Sequence, residues 1–333
     1  MSARVSPEDI LRQLSDLWVQ TGKDHSESGA GVLRACTMTL IVLAEETEDP
    51  AGLGETIAAL MPEHPARTIL VRLRRGREQV LAERVYAQCW MPFGERRQIC
   101  CERIEITASD ASLADLPSVL EPLVAPDLPV ILWSRSGRLF AAPEFARLSA
   151  IASKVIVDSM DLPEAGRALA GISALAGGAA LLGDLSWTQL TRWREMLSRL
   201  FENREYLARL PEISSVRVCF AGDRAPVFAW YMGAWVVNAL AGAGIRAELK
   251  LQPDPALSGR GLRVQLDGGG FRVLLERMED RLSIQVGEIS QCTNLPHPTD
   301  YVLLREELAI TRRDAVFDRT LASAARLAAS SSP

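Results

Sequence analysis

The stretch "TMTLIVLAEE", residues 37–46, is a nearly unbroken apolar run that ends in two acidic side chains. Apolar runs of this length without alternation are typical of strands covered on both faces, as in parallel sheets flanked by helices. "GLGETIAALM" follows with helical character and ends before Pro62, and "RTILVRLRR" then has the character of a second strand. The order strand, helix, strand predicts a parallel unit and places the chain in the α/β class.

The rest of the first half extends this sheet. "LAERVYAQCWM" and "RQICCERIEI", joined by "PFGER", predict an antiparallel strand pair, and "VILWSR" and "KVIVDS" predict two more strands. Helices near 112–123 and 143–151 separate them. Alternation along the second strand of the pair places Ile99, Cys101, Arg103 and Glu105 on one face, with Cys100, Glu102, Ile104 and Ile106 on the other. We therefore predict a mixed, mostly parallel sheet with flanking helices and an inserted antiparallel unit.

The second half predicts another α/β arrangement. A small-residue helix near 163–178 precedes the strand "SVRVCF", the helix "PVFAWYMGAWVVNALAGAG" and the strand "IRAELKLQ". "GLRVQLDGGGFRVLLERMEDRLSIQVGEI" predicts an antiparallel meander, and the tail predicts one or two helices ending in a disordered "SSSP". A chain of 333 residues exceeds one ordinary core. We predict an N-terminal helix and linker over 1–30, an α/β domain over 31–185, and a second, smaller α/β domain over 186–333.

Composition excludes several classes of function. The chain is 48% hydrophobic and 24% charged, as in soluble globular proteins. Its net charge of -5 argues against a nucleic-acid partner. The most apolar helical stretch, 168–183, is shorter than the roughly 20 residues that span a bilayer, and no secretory signal is evident. Six cysteines without such a signal predict free thiols in a cytoplasmic protein with no membrane partner.

Motifs for catalysis, cofactors and metals do not occur in complete form. The sequence contains no phosphate-binding loop, no nucleophile elbow, and no dinucleotide fingerprint after the first strand. The three histidines are too far apart in sequence to suggest a metal site. We therefore predict a protein that is not an enzyme and has no cofactor and no metal.

Two groups of residues nevertheless remain candidate sites. His64 and Arg67 in "EHPAR", with Asp127 in "APDLPVILW", could line an anion-binding cleft, or form rigid, solvated turns instead. Cys100 and Cys101 point to opposite faces of a strand and are poorly placed to bond each other. They are either buried small hydrophobic side chains or redox-sensing thiols, the latter with Cys89 from the partner strand.

The stretch "LSWTQLTRWREMLSRLF", residues 185–201, predicts a helix whose Ser186 or Asp184 serves as the N-cap. One apolar stripe runs along it: Leu190, Trp193, Leu197, Leu200 and Phe201. The side chains of Trp187, Arg192, Arg194 and Arg199 lie off this stripe. Because Trp and Arg are enriched at protein–protein hot spots, we predict a core helix with one partner-binding edge formed by these four residues.

Several of these stretches occur together, in this order, in one known family. "TMTLIVLA", "EHPARTILV", "QICCERIEI", "APDLPVILW", "KVIVDS", "GDLSWTQLTRWREMLSRLFE" and "AWYMGAW" resemble the glucose-6-phosphate dehydrogenase assembly proteins, called OpcA. The chain departs from the family where Ala66 replaces a common serine and where Trp133 is followed by Ser134 rather than a second tryptophan.

The resemblance implies a non-catalytic partner of glucose-6-phosphate dehydrogenase that favours its active oligomer, by assembly or allosteric activation. That enzyme makes NADPH at the entry to the oxidative pentose phosphate pathway. Under this interpretation Trp133 joins the candidate partner contacts. The alternative is a sugar-phosphate sensor or enzyme that uses the cleft near His64, Arg67 and Asp127.

Overall fold

The computed structural model describes residues 6–28, 32–79, 81–90 and 98–331. The chain divides into two compact units: Met1–Asp158 with Gly178–Leu182, and Ser159–Gly177 with Gly183–Pro333. This division differs from the predicted domain boundary after residue 185, because the segment 159–177 belongs to the second unit. The N-terminal helix, predicted as a separate segment, is part of the first unit.

The first unit contains four α-helices and eight strands among its described residues. The helices are α1 (Pro7–Ser28), α2 (Pro50–Leu60), α3 (Leu116–Leu120) and α4 (Pro143–Ile151). The strands are β1 (Val32–Arg34), β2 (Met38–Glu45), β3 (Ala66–Arg74), β4 (Leu81–Trp90), β5 (Gln98–Ser109), β6 (Val130–Ser134), β7 (Lys154–Val157) and β8 (Leu181–Asp184). The last two residues of β8 are counted in the second unit.

The strand order in this sheet is β1-β5-β3-β2-β6-β7-β8, with β4 paired antiparallel to β5. The pairs of β5 with β1 and β3, of β2 with β3 and β6, and of β6 with β7 are parallel. The predicted mixed, mostly parallel sheet with an antiparallel insertion is therefore confirmed. Leaving out β1 and the inserted β4, the order is 3-2-1-4-5-6, that of doubly wound dinucleotide-binding sheets. In such sheets ligands bind at the carboxyl ends of the strands where the order reverses, which here is between β2 and β6.

The core of this sheet is centred on β2, as its apolar run predicts. Leu40, Val42 and Leu43 are fully buried, and Ile41 is 1% exposed. Each such side chain contributes about 1.5–3 kcal/mol through its removal from water. The helix predicted over 112–123 is shorter in the structure, since α3 lies between two short 3-10 turns. Pro122 within the second turn lacks the N–H that a continuing helix needs.

The second unit combines a sheet with seven helices in its described part. The helices are α5 (Ala165–Leu175), α6 (Leu185–Thr188), α7 (Thr191–Leu200), α8 (Arg204–Arg209), α9 (Val227–Gly242), α10 (Asp300–Leu308) and α11 (Ala315–Ser330). The strands are β9 (Ser215–Phe220), β10 (Glu248–Pro253), β11 (Leu262–Gly268), β12 (Phe271–Met278), β13 (Arg281–Val286) and β14 (Ile289–Asn294). Their order is β10-β9-β11-β12-β13-β14; only β9 and β10 are parallel, which confirms the predicted meander.

Two helical predictions in this unit change in detail. The helix predicted over 185–201 is divided at Gln189 and Leu190 into α6 and α7, and Asp184 rather than Ser186 is the N-cap of α6. The tail forms two helices, and α11 extends to Ser330, the first residue of the segment predicted to be disordered. The last two residues of that segment lie outside the described residues. Across the described part of the chain, none of the helices combines the length and the apolar character needed to span a bilayer.

Candidate functional site

The first candidate site is the crevice at the carboxyl ends of β2 and β6, where α2 begins. Asp49 is the N-cap of α2, and its carboxylate accepts hydrogen bonds of 3.0 Å from the backbone N–H groups of Ala51 and Gly52. These N–H donors, first Gly52 and then Ala51, lower the pKa of Asp49 below its ordinary value. In dinucleotide-binding sheets the N-terminus of this helix holds the pyrophosphate. Here a carboxylate of the chain itself occupies that position.

Ion pairs close the same crevice from the side of β6. Arg138 donates from Nε to both carboxylate oxygens of Glu45, at 2.8 and 3.0 Å, and it also pairs with Asp110. Ser136 donates to Glu45 as well. Glu45 is the last residue of β2, so this network joins the ends of the two strands at the point where a ligand would enter.

Two more arginines, Arg135 and Arg72, bind the loop between β2 and α2. Arg135 donates from Nε to Glu48 at 2.5 Å, and its Nη1 lies 3.5 Å from Asp158. Arg72 donates to the backbone carbonyls of Glu48 and Glu46, at 2.9 and 3.2 Å. The end of β2 and the loop after it therefore carry carboxylates paired with Arg135 and Arg138, while one buried guanidinium nitrogen each of Arg72 and Arg138 has no hydrogen-bond acceptor among the described residues.

The predicted anion cleft lies at the other end of the sheet. His64 and Arg67 flank the start of β3, and Asp127 is an exposed turn residue just before β6, with a φ of 61°. Arg67 is 8% exposed and donates to Glu102 at 2.5 Å and to the Leu123 carbonyl at 2.8 Å. The guanidinium of Arg67 is already paired with Glu102, so the prediction that Arg67 binds an anion in a cleft is wrong. The alternative interpretation, a rigid turn, fits better.

Glu102 is the acceptor that sequence reasoning missed. It is 4% exposed and accepts a hydrogen bond of 2.7 Å from the indole N–H of Trp18, in addition to its pairs with Arg67 and Arg34. This buried carboxylate links α1 to the sheet, and removing Arg67 would leave the half-exposed Arg34 as its cationic partner.

Trp133 lies at the centre of the first sheet. Its side chain is fully buried on β6, and the guanidinium of Arg135 lies 5.0 Å from its ring centroid. A side chain without exposed surface cannot contact a partner, so the prediction of Trp133 as a contact residue is wrong. The substitution of the family's second tryptophan by Ser134, which is also buried, affects the interior rather than a surface.

The cysteines of β4 and β5 differ from the predicted free thiols. Cys89 and Cys100 are directly opposite each other in the strand register and form a disulfide. Cys101 faces the other side of β5, is 1% exposed, and donates to the Ala35 carbonyl at 3.3 Å. Burial raises the pKa of the Cys101 thiol to about 11, the opposite of the shift that a reactive thiol requires.

In the second unit, Trp187 is part of the core rather than an exposed anchor. Its side chain is 2% exposed, contacts the rings of Tyr231 and Phe317, and donates from Nε1 to Asp314 at 3.1 Å. The guanidinium of Arg194 lies over the outer face of the same indole. Partial burial lowers the pKa of Arg194 to about 10, because removal from water disfavours the charged guanidinium. Trp187 and Arg194 are therefore packing residues, and the prediction that both form a contact edge is wrong.

The carboxylate of Asp184 organises the start of α6. It is fully buried and accepts hydrogen bonds from Ser159 Oγ at 2.7 Å, from the Ser186 backbone N–H at 2.9 Å and from Tyr231 at 2.8 Å. Burial, with the nearby Asp184 charge, raises the pKa of Tyr231 well above its ordinary value. The sequence indicated Asp184 only as a possible N-cap, since Ser159 and Tyr231 lie in distant segments.

Two of the predicted contact residues remain on the surface. Arg192 and Arg199 have side chains that are 62% and 69% exposed, and both pair with Glu195, at 2.9 and 2.6 Å. We call the surface formed by Arg192, Glu195 and Arg199 the α7 edge. The described residues contain no group of three His, Cys, Asp or Glu side chains that could hold a metal ion.

The fold and these sites define a two-unit α/β protein whose first sheet has the doubly wound strand order, with carboxylates and arginines where such sheets bind a ligand. Residues 57–174 match the family model described as the glucose-6-phosphate dehydrogenase subunit N-terminal domain, and residues 180–321 match that of its C-terminal domain. The chain therefore belongs to the OpcA family of glucose-6-phosphate dehydrogenase assembly proteins, as the sequence resemblance predicted.

Curated relatives carry the same family name. The chain is 26% identical to the OxPP cycle protein OpcA of Synechocystis sp. over 193 residues, which cover 57% of this chain and 39% of that protein. It is 27% identical to the protein of the same name from Nostoc punctiforme over 185 residues, covering 53% and 38%. The chain spans less than half the length of these relatives.

Solved structures share the fold at low sequence identity. KijD10, a 3-ketoreductase from Actinomadura kijaniata in complex with NADP and TDP-benzene, matches with a TM-score of 0.50 at 11% identity, covering 88% of this chain and 96% of that chain. A dehydrogenase from Chromobacterium violaceum matches with a TM-score of 0.48 at 9% identity, over 88% and 94%. At 11% identity the likeness to the ketoreductase concerns the fold alone.

Proposed function

We propose that this chain is a non-catalytic partner of glucose-6-phosphate dehydrogenase that binds the enzyme and favours its active, assembled state. Membership of the OpcA family supports glucose-6-phosphate dehydrogenase as the partner. The filled crevice supports the absence of catalysis, and the single observation that carries it is the capping of α2 by Asp49.

Asp49 and Glu45 would have to move before a dinucleotide could bind in the usual way. The N–H groups of Ala51 and Gly52 already have an anionic acceptor, and Arg138 is held by Glu45 and Asp110. A pyrophosphate would compete with covalently attached carboxylates for the same donors. It would also approach further acidic side chains, those of Glu46 and Glu48, in the loop.

The α7 edge is the part of the predicted contact surface that can meet a partner. Its arginines are exposed, and their pairs with Glu195 are surface pairs that contribute little to stability. Replacing these contacts with Glu195 by contacts with a partner's carboxylates therefore costs little free energy. A binding protein activates an enzyme only by preferring its active state, and about 1.4 kcal/mol of preference shifts that equilibrium tenfold.

The proposal is tested by titrating the protein into dilute glucose-6-phosphate dehydrogenase from the same organism. NADPH formation gives the rate, and light scattering gives the mass of the particles. We expect a saturable rise in rate together with a larger particle that contains both chains. Unchanged rate and mass would overturn the proposal.

A second arm tests the absence of nucleotide binding by the isolated protein. We expect NADP to leave its melting temperature unchanged, because a ligand stabilises a protein only by binding its folded state. A melting temperature that rises with NADP concentration, together with turnover of an added substrate, would instead indicate an enzyme.

A further inference from the structure

The second unit contains a cavity of about 330 Å³ that shares Arg192 with the α7 edge. It lies among the junction of α6 with α7, the start of α10, and the segment 294–299 that precedes α10. Its volume is at the small end of the range for ligand pockets, which is suited to one small molecule rather than to a dinucleotide.

Arg277 on β12 contributes a cationic wall of this cavity. Its side chain is only 9% exposed, and its Nε donates to the Glu279 carbonyl at 2.9 Å. Its Nη2 is buried and has no hydrogen-bond acceptor among the described residues. The carboxylate of Asp280 lies 3.8 Å from it and is 65% exposed, a distance and exposure at which the pairing is weak. Burial lowers the pKa of Arg277, as expected for a cation with too few partners.

Gln189, at the junction of α6 and α7, adds a second donor to the same cavity. Its side-chain Nε2 is also buried and has no acceptor in the described part of the chain. Buried polar atoms in folded proteins nearly always have partners, so two unpaired donors that line one cavity indicate that an acceptor belongs there.

The other ionisable groups around the cavity include two arginines that have carboxylate partners. Arg192 and Arg260 line it and pair with Glu195 and with Asp161, and His297 lines it as well. Partial burial, with Arg277 and Arg260 next, lowers the pKa of His297. Glu306 is the carboxylate that lines the cavity.

We propose that this cavity binds a small phosphorylated molecule of about the size of a sugar phosphate, with its phosphate oxygens on Arg277 Nη2 and Gln189 Nε2. A guanidinium is suited to phosphate because it presents planar, paired N–H donors. Trp193, Phe228 and Leu303 form an apolar wall on which the carbon skeleton of the ligand packs. Small carboxylates share the oxyanion chemistry, and the experiment separates the two.

Isothermal titration of the isolated, full-length protein tests the proposal with four probes. These are glucose 6-phosphate, inorganic phosphate, gluconate, and glucose as the uncharged control. We expect glucose 6-phosphate to bind more tightly than inorganic phosphate, gluconate to bind more weakly than either, and glucose not to bind. Tighter binding of gluconate than of both phosphates would overturn the phosphate assignment. Absence of binding of every probe at millimolar concentration would overturn the site.

Variants then test the residue assignment. Arg277→Met should weaken glucose 6-phosphate binding at least tenfold. Arg277→Lys keeps the charge but loses the paired donors. Its affinity for glucose 6-phosphate should therefore lie between those of Arg277→Met and the unmodified protein. Arg272→Met is the matched control, since Arg272 is on the same strand, is 71% exposed and pairs with Asp267. Gln189→Leu provides an independent test should Arg277→Met fail to fold. Equal affinities of Arg277→Met and Arg272→Met, or of Gln189→Leu and the unmodified protein, would overturn the assignment. Because these titrations contain no dehydrogenase, their outcome is independent of the partner proposal.

Discussion

The guanidinium carbon of Arg194 lies 3.4 Å from the ring centroid of Trp187. A cation over the face of an indole at this distance is attracted by the ring's negative π-face. Beneath that arginine, the indole donates to Asp314 and packs against Phe317. The pair therefore covers the core of the second unit, and of the four contact residues predicted in this segment Arg192 and Arg199 remain for a partner.

Charge reversals on α7 should separate these two roles. Arg199→Glu, at a side chain 69% exposed, should weaken activation of the dehydrogenase severalfold while leaving the free energy of unfolding within about 0.5 kcal/mol. Arg194→Glu should instead destabilise the protein by about 3 kcal/mol, because it places a carboxylate near Asp314 and Glu307. Urea unfolding and activation assays measure both effects. Arg167→Glu, an exposed arginine paired with Glu164 on α5, is the control for reversal elsewhere. If Arg199→Glu and Arg167→Glu activate equally well, the α7 edge is not a contact.

Gly183 should not tolerate a side chain. A Cβ at this position would lie 2.0 Å from Oε1 of Glu307, whose carboxylate is buried and bonded to Thr188. Gly183→Ala should therefore cost about 1–3 kcal/mol, as overpacking does. Gly242→Ala is the matched control, because a Cβ there meets nothing within 4 Å and Gly242 ends α9. We expect that variant to be neutral or more stable by up to about 1 kcal/mol in thermal unfolding. Equal melting temperatures would contradict the packing around Glu307.

Stability should decline at alkaline pH through Tyr231. Its pKa is raised in the folded protein by burial and by the Asp184 charge, whereas in the unfolded chain it is about 10. The stabilisation is complete below about pH 10 and is lost as the pH rises further, since the unfolded chain then releases a proton that the folded protein retains. Tyr231→Phe should cost about 1 kcal/mol at neutral pH and make the alkaline decline shallower. Chemical unfolding at a series of pH values measures this difference. Parallel declines of the two proteins would show that Tyr231 is not responsible.

The thiols should differ sharply in reactivity. With the pKa of Cys101 raised to about 11, only about one Cys101 thiol in a thousand is ionised at about pH 8, and the side chain is buried. We expect iodoacetamide to modify the exposed Cys292 first and Cys101 last in the folded protein, as measured by peptide mass mapping. Cys89 and Cys100 should become alkylated only after reduction, with the exposed Cys89 ahead of Cys100. Early modification of Cys101 would contradict its burial.

The sequence predicted most of the strands, because their apolar runs and alternation are local patterns, but β1, β8 and β14 were not predicted. The cap at Asp184 and the meander are local too. Burial of Trp187 was not predictable, since it depends on Tyr231 and Phe317, which are 44 and 130 residues away along the chain. The Arg67–Glu102 pair likewise spans 35 residues. Such contacts follow from which strands become neighbours, and no single stretch contains that information.

Two features could have been found from local signals. Asp49 precedes Pro50, and an aspartate followed by proline is a strong signal for a helix start. This signal would have placed a carboxylate at the N-terminus of α2, shortly after β2. The antiparallel pairing of β4 with β5 places Cys89 opposite Cys100, so the register of these two consecutive strands would have suggested the disulfide. The Arg277 cavity gave no such signal, because its walls come from five separate segments.

The acidic loop after β2 also makes this end of the sheet robust to single substitutions. Replacing Asp49 alone would hand the first N–H groups of α2 to solvent, and replacing Glu45 alone would leave Arg138 paired with Asp110. No single substitution therefore removes every carboxylate from the carboxyl end of β2, and an open anion site there would require several changes at once.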